Sequence, residues 1–255
     1  MASDEGSFLR GWRHREVLMA LGMGILCVVL WRLPAFAWLL YPFRLLNTFA
    51  HELSHGIAAI ATGGEFLRFT VRSDLSGLAW SAGGVRWVVT SAGYIGSALV
   101  GGVLTILSAR GIAARTVLVG LGIALGVLCL LFVRNIFGVA AGLLLAGALF
   151  LAGRWLNRFW ADGLLLFLSV QLMLDAFDSL LDLVVLSTAA PDARTDAQSM
   201  AAMTGIPAIV WAVLWNMVAL AILAGSLYLA YRKPPEGIAA EQARPARSGG
   251  HAGSP

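Results

Sequence analysis

One stretch of the sequence, residues 47–56, carries side chains that could activate water within a run that is otherwise apolar. Its centre is an H-E-x-x-H pattern in which His51 and His55 fall one helical turn apart on the same face, with Glu52 beside them. Two such histidines can bind zinc while the glutamate acts as a general base. The pattern therefore predicts a helix that holds a hydrolytic zinc site.

The distribution of histidine strengthens this prediction. The chain contains four histidines, and the two outside the motif lie in polar parts near its ends. Ionisable side chains within apolar membrane segments are costly and are usually functional. The alternative is that His51 and His55 are hydrogen-bonded packing residues and that Glu52 pairs with an arginine such as Arg44.

The composition predicts an all-α polytopic membrane protein, with the lipid bilayer as its surroundings. Of the 255 residues, 59% are hydrophobic and 13% are charged, which does not fit a soluble protein. The formal charge of +4 comes mainly from arginines in the tails and short loops, as is typical of membrane-flanking segments. Phosphate-binding and base-stacking patterns are absent, so nucleic acid is not an expected partner.

Seven apolar segments are long enough to cross or nearly cross a bilayer, which takes roughly 20 residues. They are residues 17–31, 45–62, 87–108, 116–133, 136–153, 163–187 and 207–231. Six spans remain an alternative, because Arg134-Asn135 separates the fourth and fifth segments as either a tight hairpin or a polar break within the membrane.

The same pattern divides the chain into three regions. Residues 1–16 form a polar and basic N-terminal segment, and residues 17–231 form the transmembrane metallopeptidase-like domain. Residues 232–255 are rich in Pro, Gly, Ala and charged side chains, which predicts a disordered C-terminal tail.

A short β-hairpin is predicted at the membrane edge after the motif helix. Gly63-Gly64 ends that helix, residues 66–72 and 78–81 are rich in β-branched and aromatic side chains, and residues 73–77 read as a turn. An ordinary amphipathic loop is the alternative. As an edge strand, the hairpin could hold an extended substrate segment by β-augmentation.

The third span opens with a dense series of small side chains in residues 91–102. Small residues let helices approach closely in lipid. We expect this helix to pack tightly against the motif helix.

The sixth span carries Asp175, Asp178 and Asp182 at positions i, i+3 and i+7, and therefore on one helix face. Two histidines leave a catalytic zinc short of its usual three protein ligands, so one of these aspartates is predicted to complete the site. The alternative is that they mark the interfacial end of the helix or pair with an arginine.

Depth in the membrane favours Asp178 as the third ligand. If the N-terminus is cytoplasmic, the second and sixth spans end on the same side, and His51 and His55 lie about 18 and 12 Å from that end at 1.5 Å per residue. Asp178 lies about 13 Å from its own end, with Asp175 at about 18 Å and Asp182 at about 7 Å as alternates.

The chain resembles the site-2 protease family of intramembrane zinc metallopeptidases, and more closely its small peptidase B-like branch. The residues that carry the resemblance are 51–56, 62–64, the hairpin-like stretch with Gly77, 92–97, Arg134-Asn135, the helix with Asp178 and Asp182, Thr195-Asp196-Ala197 and 204–207. The resemblance implies a zinc bound by His51, His55 and an acidic residue from a later span, with Glu52 activating water.

One departure from the family pattern concerns the third ligand. Classical members carry it in an Asp-Gly motif preceded by an asparagine and prolines. The nearest match here, Asn157 to Asp162-Gly163, lacks the prolines and lies at the start of a span. Asp162 therefore ranks below Asp178 and Asp182.

These observations predict an integral membrane zinc endopeptidase, in the plasma membrane of a bacterium, that cleaves membrane-embedded or membrane-adjacent segments of a transmembrane protein. Zn²⁺ would be its cofactor and Glu52 its general base, with Asn135 as a neighbouring donor to the oxyanion. The alternative is a non-catalytic membrane scaffold or metal-handling protein with the same fold. The presence of Glu52 favours hydrolysis, because metal binding alone does not require it.

Overall fold

The computed structural model describes residues 14–110, 112–189 and 195–232. The elements in these ranges are α1 (His14–Arg32), a 3₁₀ turn (Pro34–Phe36), α2 (Ala37–Ala61), β1 (Glu65–Val71), β2 (Gly77–Ala82), α3 (Arg86–Ala109), α4 (Ala114–Phe132), α5 (Ile136–Trp155), α6 (Arg158–Ala189), α7 (Asp196–Thr204) and α8 (Ala208–Tyr231). The predictions for residues 1–13 and for the tail from residue 233 onward lie outside the described residues.

The prediction of an all-α polytopic membrane protein is confirmed. Five described helices, α3, α4, α5, α6 and α8, are long and apolar enough to cross a membrane. The predicted six or seven spans also counted α1 and α2, so that number is approximate. Large apolar side chains cover the outside of the bundle, as at Leu144, which is 75% exposed, and such a surface suits lipid rather than water.

The predicted β-hairpin is also present. Strands β1 and β2 pair antiparallel around a turn in which Asp74 Oδ1 accepts hydrogen bonds from the Ser76 amide (3.0 Å) and hydroxyl (2.6 Å). These hydrogen bonds from Ser76 lower the pKa of Asp74 below its ordinary value. Leu75 takes a left-handed backbone conformation (φ 67°), which is uncommon for a side chain of this size.

One face of the hairpin packs on the motif helix α2. Phe66, Phe69 and Val71 of β1 are buried, and the Phe69 ring meets Phe49 of α2 edge to face at 5.9 Å between centroids. The sheet is therefore fixed to the helix that carries the H-E-x-x-H motif.

The connection between α4 and α5 closes the other edge of β1. The Arg134 amide donates to the Phe69 carbonyl (3.0 Å), and the Asn135 side chain both donates to the Val71 carbonyl (2.7 Å) and accepts from the Val71 amide (3.2 Å). Arg134-Asn135 is thus a tight hairpin between helices. Within the described residues the outer edge of β2 has no strand partner.

The small residues of α3 allow the predicted close packing against α2. A Cβ atom at Gly96 would overlap the Ser54 side chain of α2, and one at Gly101 would lie 3.0 Å from the Met173 backbone nitrogen of α6. Helix α3 therefore packs closely against both α2 and α6.

Two side chains of α2 hold the turn of the hairpin. The Thr48 hydroxyl donates to the Leu75 carbonyl (2.9 Å), and the Tyr41 hydroxyl donates to the Ser73 carbonyl (2.9 Å). Because Thr48 lies one turn before the motif, these bonds place the turn beside the motif residues.

We predict that Thr48→Val loosens the turn, because it removes the donor to Leu75 while keeping the side-chain shape. One lost hydrogen bond is worth about 1 kcal/mol, so amide deuterium exchange in residues 72–77 should become about fivefold faster. Thr105→Val, which removes a hydroxyl bond within α3, is the matched control and should leave this exchange unchanged. Equal exchange in all three proteins would show that Thr48 does not hold the turn.

Candidate metal centre

Three potential metal donors converge beside the hairpin. His51 Nε2 lies 3.1 Å from His55 Nε2 and 3.2 Å from Asp196 Oδ2, and His55 Nε2 lies 3.3 Å from the same carboxylate oxygen. No other such group of three His, Cys, Asp or Glu side chains occurs among the described residues.

The size of this triangle fits a zinc ion. Zinc bonds of about 2.0–2.1 Å in tetrahedral geometry place neighbouring ligand atoms about 3.3–3.4 Å apart. The three donors match three corners of such a tetrahedron and leave the fourth for water or substrate. Two histidines and one carboxylate are also a ligand set found in catalytic zinc sites.

The protonation of His55 supports the same fit. Its Nδ1 lies 2.7 Å from the Val89 carbonyl of α3, an acceptor, so Nδ1 carries the proton and donates it. Nε2 is then the ring nitrogen of His55 that is available to bind a cation, and it faces His51 and Asp196. An Nδ1–H bonded to a backbone carbonyl is the usual arrangement of a histidine that binds a metal through Nε2.

Helix α3 provides the space and support for both imidazoles. A Cβ atom at Gly93 would overlap Nε2 of His51 and of His55, so the site needs a residue without a side chain there. The next residue, Tyr94, meets the His51 ring edge to face at 4.6 Å and stacks on Trp215 of α8 at 5.5 Å. The histidine rings are therefore held from α3 and α8 as well as by their own helix.

Asp196 is the first residue of the short helix α7. The Thr195 side chain caps this helix by accepting a hydrogen bond from the Gln198 amide (3.2 Å), while Ala197 and Met200 are fully buried. Burial acts to raise the pKa of Asp196, but the two imidazoles outweigh burial and hold that pKa below its ordinary range. The carboxylate is therefore charged, as a metal ligand must be.

Glu52 lies in the wall of a cavity of about 400 Å³ that also contains the three donors. Its side chain is 5% exposed and interacts electrostatically with His51, His55 and Asp196. A Cβ atom at Gly77, where β2 begins, would overlap the Glu52 carboxylate. The other residues that line the cavity are Asn47, Thr48, Leu75, Ser76, Leu78, Ala79, Ser81, Val89, Thr90, Tyr94, Ser179 and Thr195.

The predicted placement of Asp178 between the imidazoles is wrong. Arg44 of α2 holds Asp178 Oδ2 at 2.7 Å from its Nη2 and Asp175 Oδ1 at 3.0 Å from its Nε. Both carboxylates thus serve an ion cluster, as the alternative for the acidic stripe anticipated. None of the described contacts of Arg44 involves Glu52, so Arg44 does not support the packing interpretation of Glu52 either.

The remaining predicted acidic candidates also lie outside the donor cluster. Asp182 is exposed, and Asp162 forms an exposed ion pair with Arg158 (3.6 Å) at the start of α6. Depth along the spanning helices is not a guide here, because the carboxylate beside the imidazoles does not belong to a spanning helix. The third donor instead comes from a short helix in the connection between two spans.

The signal for Asp196 was present in the sequence. Thr195-Asp196-Ala197 is part of the resemblance to site-2 proteases, and a threonine before an aspartate in a polar connection is typical of a helix start. Neither feature indicates how deeply that helix start lies in the bundle. The depth of Asp196 is determined by the packing of α7 against the rest of the bundle.

Asn135 occupies a different place from the one predicted. The side-chain Nδ2 of Asn135 donates to the Val71 carbonyl, and its Oδ1 accepts from the Val71 amide. Asn135 is not among the residues that line the cavity. Its described contacts hold β1 and therefore act on the hairpin rather than on the metal donors.

Comparison with protein families finds a match that covers most of the chain. A family model described as peptidase M50B-like matches residues 16–226, a range that contains the H-E-x-x-H motif, the hairpin and Asp196. No curated protein and no solved structure matches the chain.

We predict that Gly93→Ala disrupts the centre, because the added methyl group would displace both imidazoles. Zinc binding by the purified protein, measured by metal analysis after dialysis against a chelator series, should weaken at least about tenfold. Gly120→Ala is the control, since nothing lies within 4 Å of a Cβ atom at that helical glycine. Unchanged zinc binding in Gly93→Ala would contradict the proposed position of the metal.

Proposed function

The chain belongs to the peptidase M50B-like family, and we propose that it is an intramembrane zinc endopeptidase. The observation that carries this proposal is the convergence of His51, His55 and Asp196 within 3.3 Å of one another beside Glu52. The family match also confirms the resemblance to site-2 proteases.

His51, His55 and Asp196 would hold the metal, with the His55 ring oriented by the Val89 carbonyl. The chemistry that zinc supplies when bound is polarisation of the scissile carbonyl and a lowered pKa of bound water. The three donors leave one side of the site open toward the cavity, where water and a peptide carbonyl can enter.

Glu52 is the proposed general base. It lies in the same cavity wall as the donors, within electrostatic reach of all three. It would take a proton from the attacking water and pass it to the leaving nitrogen of the peptide bond. A scaffold or metal carrier would not require a buried carboxylate at this place.

Tyr94 is the proposed donor to the developing oxyanion, in place of Asn135. Its ring contacts His51 and it lines the cavity, whereas the Asn135 amide is bonded to Val71. A phenol can donate one hydrogen bond to negative charge that develops on the substrate oxygen.

The outer edge of β2 is the proposed substrate-binding edge. Strand β2 lines the cavity through Gly77, Leu78, Ala79 and Ser81, and its outer edge is free of described strands. A peptide bond inside a helix is hidden by its backbone hydrogen bonds. A transmembrane segment that unwinds and pairs with β2 would present its backbone beside Glu52.

We predict that Glu52→Gln retains zinc but loses hydrolysis by about 10²-fold or more, because it removes only the base. Purified full-length protein is incubated with a panel of solubilised single-span membrane proteins, and new N-termini are quantified by mass spectrometry. Cleavage at an unchanged rate in Glu52→Gln would contradict its role. If the unaltered protein binds zinc but cleaves none of the panel, the non-catalytic alternative is favoured.

We predict that Asp196→Asn lowers the zinc content as much as His55→Ala does, since each removes one of three ligands. Asp182→Asn is the matched control, because it changes an exposed aspartate outside the cluster in the same way. Zinc content is measured on folded, monodisperse protein. Full zinc occupancy in Asp196→Asn would exclude this carboxylate as the third ligand.

A further inference from the structure

A cluster of three charged side chains joins α2 to α6 within the bundle. Arg44 Nε lies 3.0 Å from Asp175 Oδ1, and Arg44 Nη2 lies 2.7 Å from Asp178 Oδ2. Asp175 is only 3% exposed, so its carboxylate has lost its contact with water. This clamp, defined as Arg44, Asp175 and Asp178, accounts for most of the acidic stripe on α6.

The geometry of the guanidinium group makes this contact directional. Its N–H groups point in fixed directions within one plane, so bonds from Nε and Nη2 to two carboxylates constrain two directions at once. Asp175 and Asp178 lie three residues apart and belong to the same face of α6. The clamp therefore restricts both the rotation of α2 and its position along α6.

The clamp is continuous with the metal centre. Arg44 precedes His51 by seven residues, about two helical turns, and so lies on nearly the same face of α2. Between them on α2, the buried Asn47 lines the cavity that contains the donors.

The donors come from two separate parts of the fold. His51 and His55 belong to α2, whereas Asp196 begins α7, a few residues after the end of α6. The distances of 3.1–3.3 Å among the donors require these parts to be aligned. A slip of α2 by one residue, about 1.5 Å, would break this alignment.

We propose that Arg44, Asp175 and Asp178 are positioning residues that align the two histidines of α2 with Asp196. This inference rests on the proposed function, because it assigns the donors to a bound metal. None of these three residues is among the donors or lines the cavity, so the clamp acts through the position of the helices.

The experiment distinguishes two roles of the clamp, which are to align the helices and to neutralise buried charge. A triple variant, Arg44→Met with Asp175→Asn and Asp178→Asn, removes the directional contact and all three charges together, so that none of the three is left without the other two. Arg158→Met with Asp162→Asn is the matched control, because it removes an exposed ion pair on α6 outside the cavity. Each purified full-length protein is titrated with Co²⁺, whose visible absorption bands report the coordination geometry.

If the clamp aligns the donors, the triple variant should fold and have a thermal midpoint near that of the control. It should bind Co²⁺ about tenfold more weakly, and its visible absorption bands should be shifted. Arg44→Lys should show the same shift, since an ammonium group keeps the charge but lacks the planar fork. Cobalt affinity and bands equal to those of the unaltered protein in both variants would overturn the clamp while leaving the proposed function intact. Absence of Co²⁺ binding by the unaltered protein would overturn the proposed function and the clamp with it.

Discussion

An ionisable side chain inside an apolar bundle must be compensated by opposite charge or by hydrogen bonds, because lipid and apolar side chains provide neither. This constraint accounts for the arrangement of the polar residues here. Arg44 compensates Asp175, which is 3% exposed, and the imidazoles of His51 and His55 surround the carboxylate of Asp196. Each of these contacts joins α2 to a later part of the chain.

The motif helix α2 is consequently held on several sides. The hairpin packs on it through Phe69 and is bonded to it by Thr48, while α3 approaches it closely at Gly93 and Gly96. Small residues are needed at these two positions because side chains there would displace His51, His55 or Ser54. A metal site that depends on distances of about 3 Å benefits from such a rigid surrounding.

The centre combines a long helix with short elements. Helix α2 provides two potential donors and Glu52, the proposed base, whereas α7 provides the third potential donor. Strand β2 lines the cavity, and its outer edge is free of described strands. In a spanning helix the interior backbone groups are already hydrogen-bonded to one another, so an edge that could hold an extended peptide, as proposed, has to come from a strand. The Arg134-Asn135 connection occupies the opposite edge of β1, which leaves β2 as the free one.

The sequence alone was sufficient to place His51, Glu52 and His55 together, because local hydrogen bonding of a helix fixes the spacing of residues four apart. The hairpin was equally predictable, since its turn depends on neighbours such as Asp74 and Ser76. The position of Asp196 was not predictable in this way. Asp196 lies 145 residues from His51 in the chain, and only the packing of α7 brings it to the imidazoles. Likewise, only tertiary contacts decided that Arg44 binds Asp175 and Asp178, because helical spacing defines a face but not the partner that it meets.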